Sequence, residues 1–148
     1  MTDALKKTLI FNGALILFYS MLVGFPYALV IYQQQSADTV RDWSVAHDAT
    51  TVGAITLFVL GLMLNQLKLN ERQYQIMAWS FIISFYCFSV STTLEALIPD
   101  QGFSFDTLNV GMGIVTLLSA VAALTSLIGG VLLILGAYNA LNPKESGG

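Results

Sequence analysis

This chain has very little of what soluble proteins use for chemistry. Charged residues fill 10% of its 148 positions, against about 25% in an ordinary soluble domain. It has one cysteine, Cys87, so no intrachain disulfide and no thiolate metal cluster can form. It has one histidine, His47, which argues against a catalytic zinc site, since that normally takes about three protein ligands. The net charge of −3 argues against nucleic acid as a partner. The sequence has no phosphate-binding glycine loop, no serine–histidine–aspartate motif and no pair of intramembrane acids of the kind proton pumps use.

What is present is apolar. Hydrophobic residues make up 55% of the chain and the mean hydropathy is +0.71. Runs of roughly 18 or more apolar residues read as membrane spans, and the expected fold is an all-α integral membrane protein, a four-helix bundle forming one membrane domain over 1–148. The predicted helices cover about 8–32, 43–67, 73–97 and 106–141. Pro26 falls inside the first, which membrane helices tolerate. Pro99 helps to stop the third, and Pro99-Asp100-Gln101-Gly102 reads as a turn before the fourth. The first apolar segment is too long for a signal-peptide core and reads as a retained helix. The tail from Glu145 to Gly148 reads as disordered.

Basic residues suggest the orientation. Lys6, Lys7, Lys68, Arg72 and Lys144 fall on one side of the four spans, and Arg41 alone on the other. The positive-inside rule then predicts both termini in the cytoplasm and His47 near the outer face. Gly111, Gly113, Ser119, Ala122, Ala123, Ser126, Gly129, Gly130 and Gly136 stud the fourth segment. Small residues let helices approach closely in lipid, either between subunits of an oligomer or within one subunit.

His47 stands where the polar stretch from Gln33 to Asp42 gives way to a long apolar run. Neutral imidazole is a common axial ligand of heme iron. One histidine and no nearby cysteine would leave such an iron with an open position, suited to binding a small molecule, unless a methionine or another subunit fills it. The plain alternative is an interfacial histidine bonded to water or Asp48. Trp43 lies one helical turn before His47 and on the same face; it suits packing against a planar cofactor, or anchoring at the interface. Arg41 suits a cofactor carboxylate, or a salt bridge to Asp38. No Cys-x-x-Cys-His attachment site exists, so a heme here would be heme b rather than heme c.

The third segment carries a polar stripe that includes Ser84, Tyr86, Ser89, Ser91, Thr92 and Glu95. Polar groups in lipid must face protein or a cavity, so Ser84, Tyr86, Thr92 and Glu95 are candidate catalytic or substrate-lining residues, and Asn12 with Tyr19 could complete a pocket from the first helix. Serine and threonine can also satisfy themselves on backbone carbonyls. Phe11, Phe18, Phe25, Phe81, Phe85 and Phe88 suit packing or lipid contact.

The order of several short motifs resembles the styrene oxide isomerase family of small four-helix bacterial membrane enzymes. Gly13, Leu15, Phe18, Leu22 and Gly24 match the spacing of its first helix. Trp43-Ser44-Val45-Ala46-His47 is similar to its Trp-x-x-Ala-His, Gly102-Phe103-Ser104-Phe105 to its Gly-x-x-Phe turn, and Tyr138-Asn139-Ala140-Leu141 to its tail. The resemblance implies a homotrimer in the bacterial inner membrane, with a heme b at each subunit interface ligated by His47. It also implies an activity: ferric heme acting as a Lewis acid on an epoxide oxygen, a ring-opened cation, and a shift that gives an aldehyde. The family's substrate-orienting Asn, Asp and Tyr fall here on Gly53, Ser84 and Thr92. Three functions are therefore open. The first is a heme-dependent isomerase of a small apolar epoxide. The second is a non-catalytic membrane heme protein in redox, gas-sensing or heme-handling work. The third is a structural subunit of a larger membrane complex.

Overall fold

The computed structural model describes residues 2–98 and 110–142. They form four long helices: α1 (Thr2–Tyr32), α2 (Ala37–Met63), α3 (Glu71–Leu97) and α4 (Val110–Leu141), with a 3-10 turn at Leu64–Gln66 between α2 and α3. Each is long and apolar enough to cross a membrane, and no strand occurs among the described residues. This is a multi-pass all-helical membrane protein. The expected turn at Pro99–Gly102, the Gly102–Phe105 motif, the start of the fourth helix at Asp106 and the tail beyond Asn142 lie outside the described residues.

Helix starts differ from expectation at two places. Helix α1 begins at Thr2, so Lys6 and Lys7 lie within the helix rather than ahead of it. Helix α2 begins at Ala37, six residues before Trp43. Polarity alone made residues 37–42 look like a connection. Their capping is local: the Ser36 hydroxyl accepts from the Thr39 N–H at 3.2 Å, and Asp38 sits in the first turn, where a carboxylate suits the helix dipole. The α1–α2 connection therefore shrinks to Gln33–Ser36. Its turn is closed by Gln35 N–H to Val30 C=O and Gln34 N–H to Ile31 C=O, with Gln34 left-handed at φ 52°. This is the Schellman pattern, with glutamine where glycine is usual. At the other end, Asn70 and Gln73 exchange side-chain bonds with each other's N–H at 2.9 and 3.0 Å, a capping box that starts α3.

Packing follows the chain order. The main contacts are α1 on α2, α3 on α4, and α2 on α3, with a lesser contact of α1 on α3. Helix α4 lies on the far side of α3 from α1. The core runs from Leu5, Leu9 and Ile16 of α1 through Ala54, Leu57 and Leu60 of α2 to Met77, Ala78, Phe81 and Ile82 of α3. Phe11, Phe18 and Phe25, each seven residues apart, all point outward from the bundle, as do Leu124, Leu127, Val131 and Ile134 of α4. In water such surfaces would be untenable; against acyl chains they cost nothing.

Glycines mark the closest crossings. A Cβ on Gly53 would come within 2.9 Å of the Phe85 ring, one on Gly129 within 2.9 Å of Phe81, and one on Gly136 within 2.9 Å of Leu69. Phe81 and Phe85 stack on each other with centroids 6.1 Å apart. The pair therefore wedges α3 against α2 on one side and α4 on the other. The α2–α3 connection is pinned to α4 as well: Lys68 N–H donates to Gly136 C=O at 3.0 Å, and the Asn139 amide donates to Lys68 C=O at 3.2 Å.

Candidate functional site

His47 lies ten residues into α2, about 15 Å along the helix axis from its start. Its imidazole turns toward α1, into a setting made by Ser20, Gly24 and Tyr27. Nδ1 is 3.1 Å from the carbonyl oxygen of Ser20 and 3.4 Å from its hydroxyl. The Tyr27 ring stacks on the imidazole, centroids 5.9 Å apart and 26° from parallel. Gly24 makes room for the ring: a Cβ there would lie 3.4 Å from Cε1 and 3.5 Å from Nδ1, so any longer side chain would press on the imidazole.

The backbone of His47 is held with equal care. Its carbonyl accepts from Thr50 at 2.8 Å and from Thr51 at 2.9 Å. The Ser20 hydroxyl meets that of Thr51 at 2.7 Å. Ser20 and Thr50 are buried. By contrast Nε2 has no hydrogen-bond partner among the described residues, and no side-chain polar atom among them is both sealed in and unpartnered. Among the described residues Nε2 is therefore neither bonded nor sealed in by the chain's own packing.

Asp48 is not the partner of His47; it accepts from Ser44 at 3.3 Å. Trp43 is buried against Val23 and Ala46, with Tyr19 and Tyr27 packed on the same cluster. It is core rather than an exposed anchor, and the aromatic ring stacked on His47 is Tyr27. Arg41 is exposed and makes no ion pair among the described residues, with Asp38 or any other acid.

The other candidates lie in three separate places. Arg41, Thr92 and Glu95 line one cavity of about 370 Å³ with Asp42 and Val45, between the start of α2 and the end of α3. Ser84 lines a cavity of about 260 Å³ between α3 and α4, with Phe85, Phe88, Ser119 and Ser126. Tyr86 turns to α1, where its hydroxyl donates to the Asn12 side chain at 3.1 Å. With Tyr19, Ile16, Ser89 and Val90 it also lines a cavity of about 120 Å³, where α1 contributes Tyr19 and Ile16 but not Asn12.

Most hydroxyls of the α3 stripe are already used. Ser84 donates to Ala122 C=O at 2.8 Å, and Ser91 pairs with Ser119 at 2.6 Å. Thr92 donates to Phe88 C=O, one turn back on its own helix. Sequence reading missed Ser20, Tyr27 and Thr51 as neighbours of His47. The only signal was the shared face of Ser20, Gly24 and Tyr27 on one helix, which does not say what they meet.

No group of three or more His, Cys, Asp or Glu side chains among the described residues could hold a metal ion. A group needing a single protein donor is a different matter. Nδ1 resting on a carbonyl, with Nε2 free, is the arrangement that readies a histidine to ligate through Nε2, and it fits the heme expected from the sequence.

Comparison with known proteins finds a match to the family model of styrene oxide isomerase over residues 5–138. No curated protein and no solved structure matches the chain.

Proposed function

Because the chain belongs to the styrene oxide isomerase family, we propose that it is a heme b-dependent isomerase that converts a small apolar epoxide to a carbonyl compound. The observation that carries this reading is the imidazole of His47, with Nδ1 resting on the Ser20 carbonyl and Nε2 unpartnered. Ferric heme b, when bound, supplies a Lewis acid for the epoxide oxygen. Epoxide and carbonyl compound are isomers, so the conversion consumes no co-substrate and needs no oxidant or reductant.

The chain's residues supply the rest. His47 would hold the iron through Nε2. Ser20, Thr51 and Tyr27 keep the imidazole from turning. Arg41, free of any ion pair among the described residues, is available to a propionate. Apolar helices keep water from a cationic rearrangement. In this reading the protein is a homotrimer of the bacterial inner membrane with both termini cytoplasmic. Lys6, Lys7, Lys68 and Arg72 then face the cytoplasm.

A second reading, a heme protein without turnover, draws on a specific observation. The positions where the family has its polar substrate-orienting groups offer no free hydroxyl proton here. Gly53 is covered by Phe85, and the Ser84 and Thr92 hydroxyls are bonded to backbone carbonyls.

One purified sample separates the readings. The isomerase reading expects a Soret band, loss of that band in His47→Ala, and conversion of an aryl or alkyl epoxide to a carbonyl product with no added cofactor. A heme spectrum with no turnover on any epoxide supports the second reading. Colourless protein from heme-sufficient cells overturns both and leaves the structural-subunit role.

A further inference from the structure

We infer that Ser20 is a positioning residue for His47: its carbonyl holds the Nδ1 proton, and its hydroxyl, through Thr51, braces the histidine backbone, so that the Nε2 lone pair is presented in one orientation. The inference deepens the heme reading and rests on it for its consequence, but the tautomer can be measured without heme.

The assignment comes from following the protons. The carbonyl oxygen of Ser20 only accepts, so Nδ1 at 3.1 Å must carry the hydrogen. Both hydroxyls reach the His47 carbonyl, Thr51 at 2.9 Å and Ser20 at 3.4 Å; the shorter contact makes Thr51 the donor there and Ser20 the donor in the 2.7 Å contact between the two hydroxyls, and in either arrangement the Ser20 proton points away from Nδ1. The Ser20 hydroxyl oxygen, 3.4 Å from Nδ1, is thereby left as an acceptor on that side too. Both oxygens nearest Nδ1 call for the same tautomer. Neutral imidazole has one N–H, so Nε2 carries the lone pair.

The brace is a closed loop. It runs from the Ser20 carbonyl to the imidazole, through the histidine backbone to its own carbonyl, to the Thr51 hydroxyl and back to the Ser20 hydroxyl. Thr50 adds a second donor to the same carbonyl. Ser20 is 1% exposed and Thr50 is fully buried, while His47 and Thr51 are half-buried. Ring rotation would break the Nδ1 bond and also meet Tyr27 on the ring face. An N–H donated to a carbonyl raises the basicity of the other nitrogen, and such partners tune a metal-bound histidine.

Because His47 is the only histidine, uniform 15N-histidine labelling gives one pair of ring nitrogen signals. In heme-free wild-type protein in nanodiscs, the expected result is a protonated Nδ1 and an unprotonated Nε2. A protonated Nε2 with a bare Nδ1 overturns the inference. Ser20→Ala keeps the carbonyl but cuts the loop, as does Thr51→Val from the other side. Both should show mixed tautomers, weaken heme binding by about tenfold, and raise the ferric–ferrous midpoint potential, because a weakened Nδ1–H bond makes the ligand a poorer donor to ferric iron. Ser20→Thr, which restores a hydroxyl, should recover all three. Unchanged tautomer, affinity and potential in both cutting variants also overturn it. The two readings fail separately. Wild-type protein that never binds heme but shows the Nδ1–H tautomer sinks the proposed function alone. Heme binding with the Nε2–H tautomer in the heme-free protein sinks this inference alone.

Discussion

Phe85 covers Gly53 so closely that a Cβ at that position would lie 2.9 Å from its ring. The ring occupies the space that any side chain on residue 53 would enter. Gly53 and Phe85 thus share one space between α2 and α3. Gly53→Ala should lower stability by about 1–3 kcal/mol, the usual cost of overpacking. Phe85→Ala alone should also destabilise, by leaving a cavity. Combining Phe85→Ala with Gly53→Ala should cost less than the sum of the two single changes. Thermal unfolding in one detergent across the four proteins checks this; strict additivity would mean that the two residues do not share space.

Gly129 and Gly130 are sequence neighbours on α4 with opposite surroundings. A Cβ on Gly129 would meet the Phe81 ring at 2.9 Å, whereas one on Gly130 would meet nothing within 4 Å. Gly130→Ala should be neutral or stabilising, by up to about 1 kcal/mol from helix propensity. Gly129→Ala should be destabilising, and Gly129→Val more so. The order of melting temperatures tests the seating of α4 on α3.

Trp43 and His47 share a helix face but differ in burial. Trp43 is buried in the cluster with Val23 and Ala46; His47 offers an unpartnered nitrogen. Trp43→Ala should therefore lower stability strongly, by about 3–5 kcal/mol as for a large core truncation, while keeping part of the heme. His47→Ala should remove the heme with a smaller effect on the melting temperature of the heme-free protein. Heme stoichiometry and thermal unfolding, measured on both variants, separate the roles. Equal effects of the two substitutions on both readouts would contradict it.

Gln34 holds φ at 52° in the turn that joins α1 to α2. A left-handed L-residue costs roughly 1–2 kcal/mol, and glycine avoids it. Gln34→Gly should raise the melting temperature slightly without changing the absorption spectrum. Gln34→Val, β-branched and worse at positive φ, should lower it.

Much of the architecture was legible in the residues. Four apolar runs define four helices long enough to span a membrane, because no other use of so much apolar chain is stable. The uniqueness of His47 was legible too, and so was the family, from the order of short motifs around it. The start of α2 is hidden in the sequence because Asp38, Arg41 and Asp42 look like a loop; the Ser36 cap that makes them helical is a local contact between two hydroxyl residues.

Which way each side chain faces was not legible, and the reason is physical. In water the apolar stripe of a helix marks its buried face. In lipid both faces are apolar, so the pattern that would assign Phe11 and Phe18 to the outside and Phe81 and Phe85 to the inside is erased. Only the tertiary structure decided that Phe85 sits on Gly53, that Ser84 and Ser91 bond to α4, and that Arg41, Thr92 and Glu95 share a cavity apart from the His47 contacts. It also decided the partner of His47. The sequence placed one imidazole in an apolar helix; the crossing of α1 over α2 at Ser20 and Gly24 determined which of its nitrogens is left free.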